Sequence, residues 1–323
     1  MRYPMRIGMS VWLVLLLGLL RSTAVAQDLP QKKENTEKRY LEAISLFGDP
    51  LYRITFSPAQ EAKLTAQLKE AQKRYEANPD DPDALIWYGR RLAYLWRYRE
   101  AVQVFSGGIK QFPNDARMYR HRGHRYITLR QFDRAIADLE KAAKLIQGQN
   151  DEIEPDGQPN KYNIPRSTLH SNIWYHLGLA YYLKGDFDKA LRAYRECLKV
   201  SRNDDMLCAT VDWLYMTLRR MGREEEARAS LELIREDMEI LENTAYHRRL
   251  LMYKGLLSPD SLLNWQNASE LDMATYGYGL GNWYYYNGNK KRAREIFEKV
   301  VAGRFWPAFG YIAAEADLRR WRR

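Results

Sequence analysis

Few residues of this 323-residue chain could carry chemistry, and none has its usual companions at working spacing. His121 and His124 stand three apart on one predicted helix, where two imidazoles could share a metal ion, but no carboxylate or cysteine lies at motif spacing. On a basic helix they are expected to face solvent and make surface contacts. Cys197 and Cys208, eleven apart, could pair in an oxidising compartment. There is no Cys-x-x-Cys, and Cys197 lies seven residues after Ala190, where a thiol serves as a small apolar filler. Gly277-Tyr278-Gly279-Leu280-Gly281 has the glycine density of a phosphate-binding loop, yet no strand precedes it. Asn267-Ala268-Ser269 would accept a glycan in a eukaryotic secretory pathway and means nothing in a bacterial one. No acid, base or metal group is placed as catalysis requires, so the chain is expected to be non-enzymatic, with no cofactor and no metal.

The elements that hold these residues begin after an N-terminal stretch of another kind. Arg2 and Arg6 lead into an apolar run from Ile7 to Leu20, and Ala24-Val25-Ala26 supplies the small residues of a signal-peptidase site. The run is shorter than the roughly twenty apolar residues that span a bilayer, so residues 1–26 are expected to be a cleaved signal peptide ending before Gln27. No cysteine follows the run, which argues against a lipid anchor. A periplasmic or secreted location is expected, with no stable membrane span after cleavage. The segment carries three arginines and no acids, so its removal lowers the formal net charge from +10 to +7. A basic exported protein makes nucleic acid a poor partner and acidic peptides, anionic glycans or lipid head groups better ones. Bases and aromatics cluster at Arg117-Met118-Tyr119-Arg120-His121-Arg122, with His124 and Arg125.

One interval recurs along the rest of the chain. Gly89, Gly123, Gly178 and Gly281 each precede an alanine by twelve residues, at Ala101, Ala135, Ala190 and Ala293. Three residues after each glycine comes Leu92, Tyr126, Tyr181 or Tyr284, and four after each alanine comes Phe105, Leu139, Tyr194 or Phe297, which places each pair on one helical face. The spacing predicts a helical hairpin copied along the chain, with small residues on facing helices allowing close approach. A weaker copy has Leu214-Tyr215, Ala227 and Leu231.

On these residues the chain resembles the tetratricopeptide repeat family, best in Trp174, Leu177-Gly178, Tyr181, Ala190 and Tyr194, and in Leu85, Gly89, Leu92, Ala101, Phe105 and Pro113. Ala101 to Ala135 is one full period of about thirty-four residues. The resemblance implies an all-α fold, a right-handed α-solenoid of helix-turn-helix repeats. The expected organisation is a polar segment at 27–38, capping helices at 39–80, repeats 1 and 2 at 81–147 and an inserted polar loop at 148–169. Repeats 3 and 4 follow at 170–240, a degenerate hairpin at 241–272, repeat 5 at 273–303 and a capping helix at 304–323. Within 39–80, Tyr40, Ala43, Ile44 and Leu46 suggest a short helix, Gly48-Asp49-Pro50 a break, and Ser57-Pro58 the start of a helix running to about Tyr75.

Family geometry also implies where a ligand would lie, because the first helix of each hairpin lines the inner groove. The implied groove positions are Ile86, Trp87, Arg90 and Tyr94; Arg120, His121 and His124; Tyr175, His176 and Tyr182; Trp213, Arg219 and Arg220; and Tyr278, Asn282, Tyr285 and Tyr286. Aromatics and bases together suit an extended protein or peptide ligand with apolar and acidic residues, held by a scaffold protein of the cell envelope. The alternative is a cell-wall glycan-binding accessory protein, with Trp87, Tyr175, Trp213 and Tyr285 stacking on sugar rings.

Overall fold

Many helix starts in this chain are written by polar caps and prolines. The computed structural model describes residues 40–322; the expected signal peptide at 1–26 and polar segment at 27–38 lie outside the described residues. Ser57 caps α1 (Pro58–Ala77), its hydroxyl accepting from Gln60 N–H, and Asp81 caps α2 (Pro82–Tyr94); in both, proline takes the first helical position, where a missing N–H costs nothing. Asp115 caps α4 (Ala116–Thr128) after α3 (Tyr98–Gln111), and α5 (Phe132–Leu145) follows. A reciprocal box of Thr168 and Ser171 opens α6 (Leu169–Lys184), which is paired with α7 (Phe187–Val200). Next come α8 (Asp204–Arg220), α9 (Glu224–Ser230), α10 (Thr244–Tyr253) and the single turn α11 (Pro259–Leu262). The last three are α12 (Glu270–Tyr286), α13 (Lys290–Val301) and α14 (Phe309–Trp321). Successive helices pack as antiparallel hairpins in an all-α, right-handed solenoid.

The recurring glycine does something other than meet a small residue opposite. A Cβ at Gly89, Gly123, Gly178 or Gly281 would lie 2.5, 2.8, 2.7 or 2.5 Å from the side chain of Phe105, Leu139, Tyr194 or Phe297 respectively. Each glycine is therefore a socket for the large residue four places after the alanine. That is why both recur at one interval: the socket and its plug sit on the two helices of a single hairpin. The other glycines of the 277–281 stretch are sockets too. Gly277 makes room for Val300 and Gly279 for Arg249, whose guanidinium meets the buried Asp212 at 2.8 Å.

Where a short helix is expected from Tyr40 to Leu46, the chain forms a β-hairpin, β1 (Leu41–Ile44) against β2 (Pro50–Tyr52), antiparallel with an irregularity between Leu41 and Ala43. The turn decides this. Gly48 adopts φ +98°, and the Ser45 hydroxyl accepts from the N–H groups of Phe47 and Asp49, folding the chain back after one short strand.

The turn that ends the first helix of each hairpin needs a left-handed residue seven places after the repeat glycine or its counterpart. Gly185, Gly222 and Gly288 fill that slot with φ of +86°, +73° and +87°. In the first two repeats Trp96 (+57°) and Arg130 (+61°) fill it instead, a strained choice for a side-chain-bearing residue. Both side chains reach the C-terminal segment. Trp96 lies edge-on to Phe305 and Trp306, each 5.4 Å between ring centres, and Arg130 pairs with Glu315 at 2.7 Å.

The C-terminal helix does more than cap the last repeat. Gly310 to Leu318 are all buried, and α14 packs on α12, α13 and also α6. A Cβ at Gly310 would stand 2.1 Å from the Ala274 carbonyl oxygen, so glycine there lets α14 touch the backbone of α12. The Glu315 carboxylate also accepts from Leu46 N–H at the end of the β-hairpin, and Trp306 Nε1 donates to Tyr52 O at 2.8 Å. The solenoid is thus threaded by α14 and closed against the β-hairpin at Leu41–Tyr52.

Candidate functional site

The first helices carry the implied groove positions to one inner surface, and two segments of the same chain cover it. Over the C-terminal part the cover is α14. Tyr182, Trp213, Tyr278 and Asn282 are fully or almost fully buried. Tyr278 donates its hydroxyl hydrogen to Tyr182 or Asp317, whose oxygens lie 2.8 and 3.0 Å away, and Asn282 donates to Tyr182 at 2.9 Å. Arg220 bonds Asn282 Oδ1 at 2.6 Å and Asp317 at 2.5 Å, and its guanidinium lies over the Tyr285 ring. Tyr285 stacks on Trp321, Arg219 lies over Tyr286, and the Tyr175 hydroxyl meets that of Tyr246. Tyr175, Tyr182, Trp213, Tyr278 and Asn282 do not stand open to a ligand, because a helix lies where the partner's chain was expected, while Arg219, Arg220, Tyr285 and Tyr286 are half-buried.

At the middle of the surface the histidines are also covered. His121 is buried and stacked on Phe105, and His124 is half-buried against His176 (4.3 Å between ring centres) and Phe309. The solvent-facing placement expected for His121 and His124 does not hold, since Phe309 at the start of α14 and the inserted segment sit over them. Burial, followed by the positive charges of Arg120 and Arg125, drives the His121 and His124 imidazoles well below their ordinary range. His176 is lowered likewise by burial and then Arg120, and bonds the Asn172 carbonyl through Nδ1. Among the described residues no group of three His, Cys, Asp or Glu is arranged to hold a metal ion. Cys197 and Cys208 are free, buried thiols, and burial pushes both up to about 12.

Over the N-terminal part the cover is the segment between α5 and α6. Its base is a short antiparallel pairing, in which Glu154 N–H donates to Ser167 O and Leu169 N–H to Glu152 O. From there Glu154-Pro155-Asp156-Gly157 crosses α4 and α2. Arg120 pairs with Glu154 at 3.0 Å, Arg90 donates to Pro155 O at 2.7 Å, and Arg91 donates to Gly157 O at 3.0 Å. Behind this row Trp87 lies under both Arg90 and Arg91, at 4.5 and 5.0 Å from ring centre to guanidinium carbon. A Cβ at Gly157 would fall 1.8 Å from the Tyr94 hydroxyl. Trp87, Arg90, Arg91 and Tyr94 remain half-buried, and Ile86 is buried beneath them. Burial lowers Arg120, only partly offset by Glu154, and pushes the Asp156 carboxyl up to about 6.

Of the implied positions, then, Trp87, Arg90, Tyr94 and Arg120 converge on one extended acidic stretch; Ile86, His121, Tyr175, His176, Tyr182, Trp213, Tyr278 and Asn282 are buried, and His124, Arg219, Arg220, Tyr285 and Tyr286 are half-buried. Sequence reasoning misses Arg91, which does as much as Arg90, and places the inserted loop at 148–169 without its docking on this face. A signal was present: Asp151, Glu152, Glu154 and Asp156 make an acidic run in a basic chain.

A cleft of about 600 Å³ opens on the outer surface between α5 and α7, floored by Trp174, Leu177 and Tyr181 of α6. In the preceding hairpin the equivalent space is filled by Arg122, bonded twice to Asp138 at 2.7 Å. Leu177 and Ala193 stand where that ion pair would be, so the floor of this opening is apolar, while Glu140, Lys144, Lys189, Arg192, Arg195 and Glu196 also line it.

Models of the tetratricopeptide repeat match residues 116–148, 171–204 and 274–304, which are the α4–α5, α6–α7 and α12–α13 hairpins. Among curated proteins, BBSome complex member BBS4 of Bos taurus is 25% identical over 160 residues, 48% of this chain and 27% of that protein. The Mus musculus protein of the same name is 24% identical over 158 residues, 48% of this chain and 26% of its own length. The chain therefore spans about a quarter of the curated relatives it matches. Among solved structures, YrrB, described as a TPR protein with an unusual peptide-binding site, is 16% identical with a TM-score of 0.41, covering 72% of this chain and 91% of its own. MamA is 16% identical with a TM-score of 0.42, covering 55% and 93%.

Proposed function

Because the chain is a tetratricopeptide repeat protein, a kind whose repeats serve protein–protein interaction, we propose that it is a non-enzymatic scaffold holding a partner through an extended acidic segment on its N-terminal inner face. One observation carries this reading: guanidinium groups from two consecutive first helices, Arg90 and Arg91 on α2 and Arg120 on α4, converge on a single extended stretch. Arginines backed by an indole are good readers of carboxylates and carbonyls, since the ring face holds the cation without competing for its donors. The glycan reading loses support at the same positions. Tyr175 and Trp213 are buried and Tyr285 is stacked on Trp321, so three of its four platforms present no free ring face.

We place this scaffold in the cell envelope, on the Met1–Ala26 pattern. A secreted or periplasmic chain beginning at Gln27 supports that placement, and a mature protein that keeps Met1 overturns it. Among the described residues no helix is long and apolar enough to cross a membrane.

The binding reading is tested by affinity capture from the envelope fraction, with the wild-type chain and an Arg90→Glu/Arg91→Glu variant of matched melting temperature as baits. A protein retained by the first and lost by the second is expected. Identical retention by both rejects this face as the binding surface.

A further inference from the structure

Nothing in the family's repeat requires the segment between α5 and α6, yet this chain lays it across the N-terminal inner face in a defined register. Three contacts fix that register: the Glu154 side chain on Arg120, the Pro155 carbonyl on Arg90, and the Gly157 carbonyl on Arg91. Position 157 favours glycine, because a Cβ there would fall 1.8 Å from the Tyr94 hydroxyl and force that side chain to move. At position 155 only the carbonyl is read, so proline, which lacks an N–H, is admitted without loss.

The fit is incomplete. Arg120 Nε is buried without a protein acceptor, so Glu154 engages the guanidinium from one side only, and Asp156 Oδ2 is buried without a donor. Each such atom destabilises the docked state compared with a paired one. Of the seven residues from Asp151 to Gly157 only Gly157 is buried, so little apolar surface holds the segment down. When it lifts, the Arg120 charge returns to water and recovers its hydration. The segment is bound well enough to occupy the site and imperfectly enough to be replaced.

We propose that Glu154-Pro155-Asp156-Gly157 is an internal stand-in for the partner: the partner presents an extended Glu-x-x-Gly stretch in the same register and binds by displacing it. A carboxylate delivered from outside can take both Nε and Nη of Arg120, which the tethered Glu154 does not. This inference rests on the scaffold reading for its biological partner, but the self-contact can be tested without one.

The probe is a fluorescently labelled peptide of this chain's own residues 150–160, titrated by anisotropy against the full chain. The wild type, its site already filled, is expected to bind it at least tenfold more weakly than a Glu154→Lys/Gly157→Val variant, in which the introduced ammonium repels Arg120 and the introduced isopropyl group strikes Tyr94. Adding Arg90→Glu/Arg91→Glu to that variant should abolish binding, and so should Glu154→Lys made in the peptide itself. Equal binding by wild type and variant, or none by a variant that keeps the wild-type helical circular dichroism, overturns the proposal. Should the double variant misfold, replacing 154–157 by Gly-Ser-Gly-Ser gives the same comparison.

Failure here and failure of the scaffold reading look different. If a captured protein is lost with Arg90→Glu/Arg91→Glu but retained equally by wild type and Glu154→Lys/Gly157→Val, the groove binds a partner and the stand-in role falls. If the opened variant binds the peptide but captures no protein, the self-contact stands and the scaffold reading falls.

Discussion

The two halves of the inner face are built from the same repeat positions and have opposite fates. In the C-terminal half a thirteen-residue helix lies in the groove, and its Asp317 gathers Arg220 and the Tyr278 hydroxyl into a buried network. In the N-terminal half a loop crosses the groove and is held chiefly through its own carbonyls and one glutamate. A helix satisfies its backbone internally and can bury nine consecutive residues; a loop of the same span spends its backbone groups on the arginines beneath it. The first cover is therefore part of the core, while the second can open without disturbing the core. Place on a first helix decides that a residue faces inward, and the covering segment decides whether it becomes structure or site.

Removing Asp317 should break this contrast most severely. Asp317→Ala leaves Arg220 buried without its counter-charge and is expected to cost about 3–5 kcal/mol in urea unfolding. A loss under about 1 kcal/mol would mean that α14 does not hold its half closed. Arg130→Gly sets two effects against each other: relief of a left-handed non-glycine residue, worth about 1 kcal/mol, and loss of the buried pair with Glu315, worth about 3–5 kcal/mol. A net destabilisation near 2–4 kcal/mol is expected, and a stabilised Arg130→Gly would show that the strain serves nothing.

Acid probes the seam between the halves. Burial holds the folded His121 and His176 below the ordinary value of 6.5, so below that pH the unfolded chain binds more protons than the folded one. Stability is then fully present above about pH 6.5 and falls as pH drops, by up to about 1.4 kcal/mol per histidine per pH unit. The melting temperature should be lower at pH 5.5 than at pH 7.5, and a flat profile would remove these imidazoles from the energetics of the seam. The smallest effect belongs to the loop: Glu154→Lys/Gly157→Val should change global stability by less than about 1 kcal/mol, although it opens the N-terminal half. Equal losses for this variant and Asp317→Ala would erase the distinction between the two covers.

Much of the fold is legible because it is local. The Gly-to-Ala interval, the Ser57-Pro58 start and the turn glycines act within one hairpin, where sequence distance and contact coincide. The hairpin at Leu41–Tyr52 is less so, since its end is fixed by Glu315 and Trp306, more than two hundred residues away. The site is partly legible for the same reason. Trp87, Arg90, Tyr94 and Arg120 can be placed on the inner face from repeat register alone, but so can Tyr182, Trp213 and Tyr278, and nothing nearby says that α14 will cover the second set. Two departures did mark the covers: Trp96 and Arg130 in a slot that elsewhere takes glycine, and an acidic run inserted opposite a basic face.

A stack of hairpins touching only their neighbours is mechanically a spring, which lengthens under load as each joint yields in turn. This one is a spring with its coils bolted together. Arg130 of the second repeat, Leu46 of the β-hairpin and Glu315 of the last helix meet at one point, so tension applied between the ends is carried by that joint first. Pulled in an optical trap, the chain should stay stiff and short until the joint fails, then extend in one large step instead of repeat by repeat, and a partner bound to it would be held at a fixed distance and not on an elastic tether.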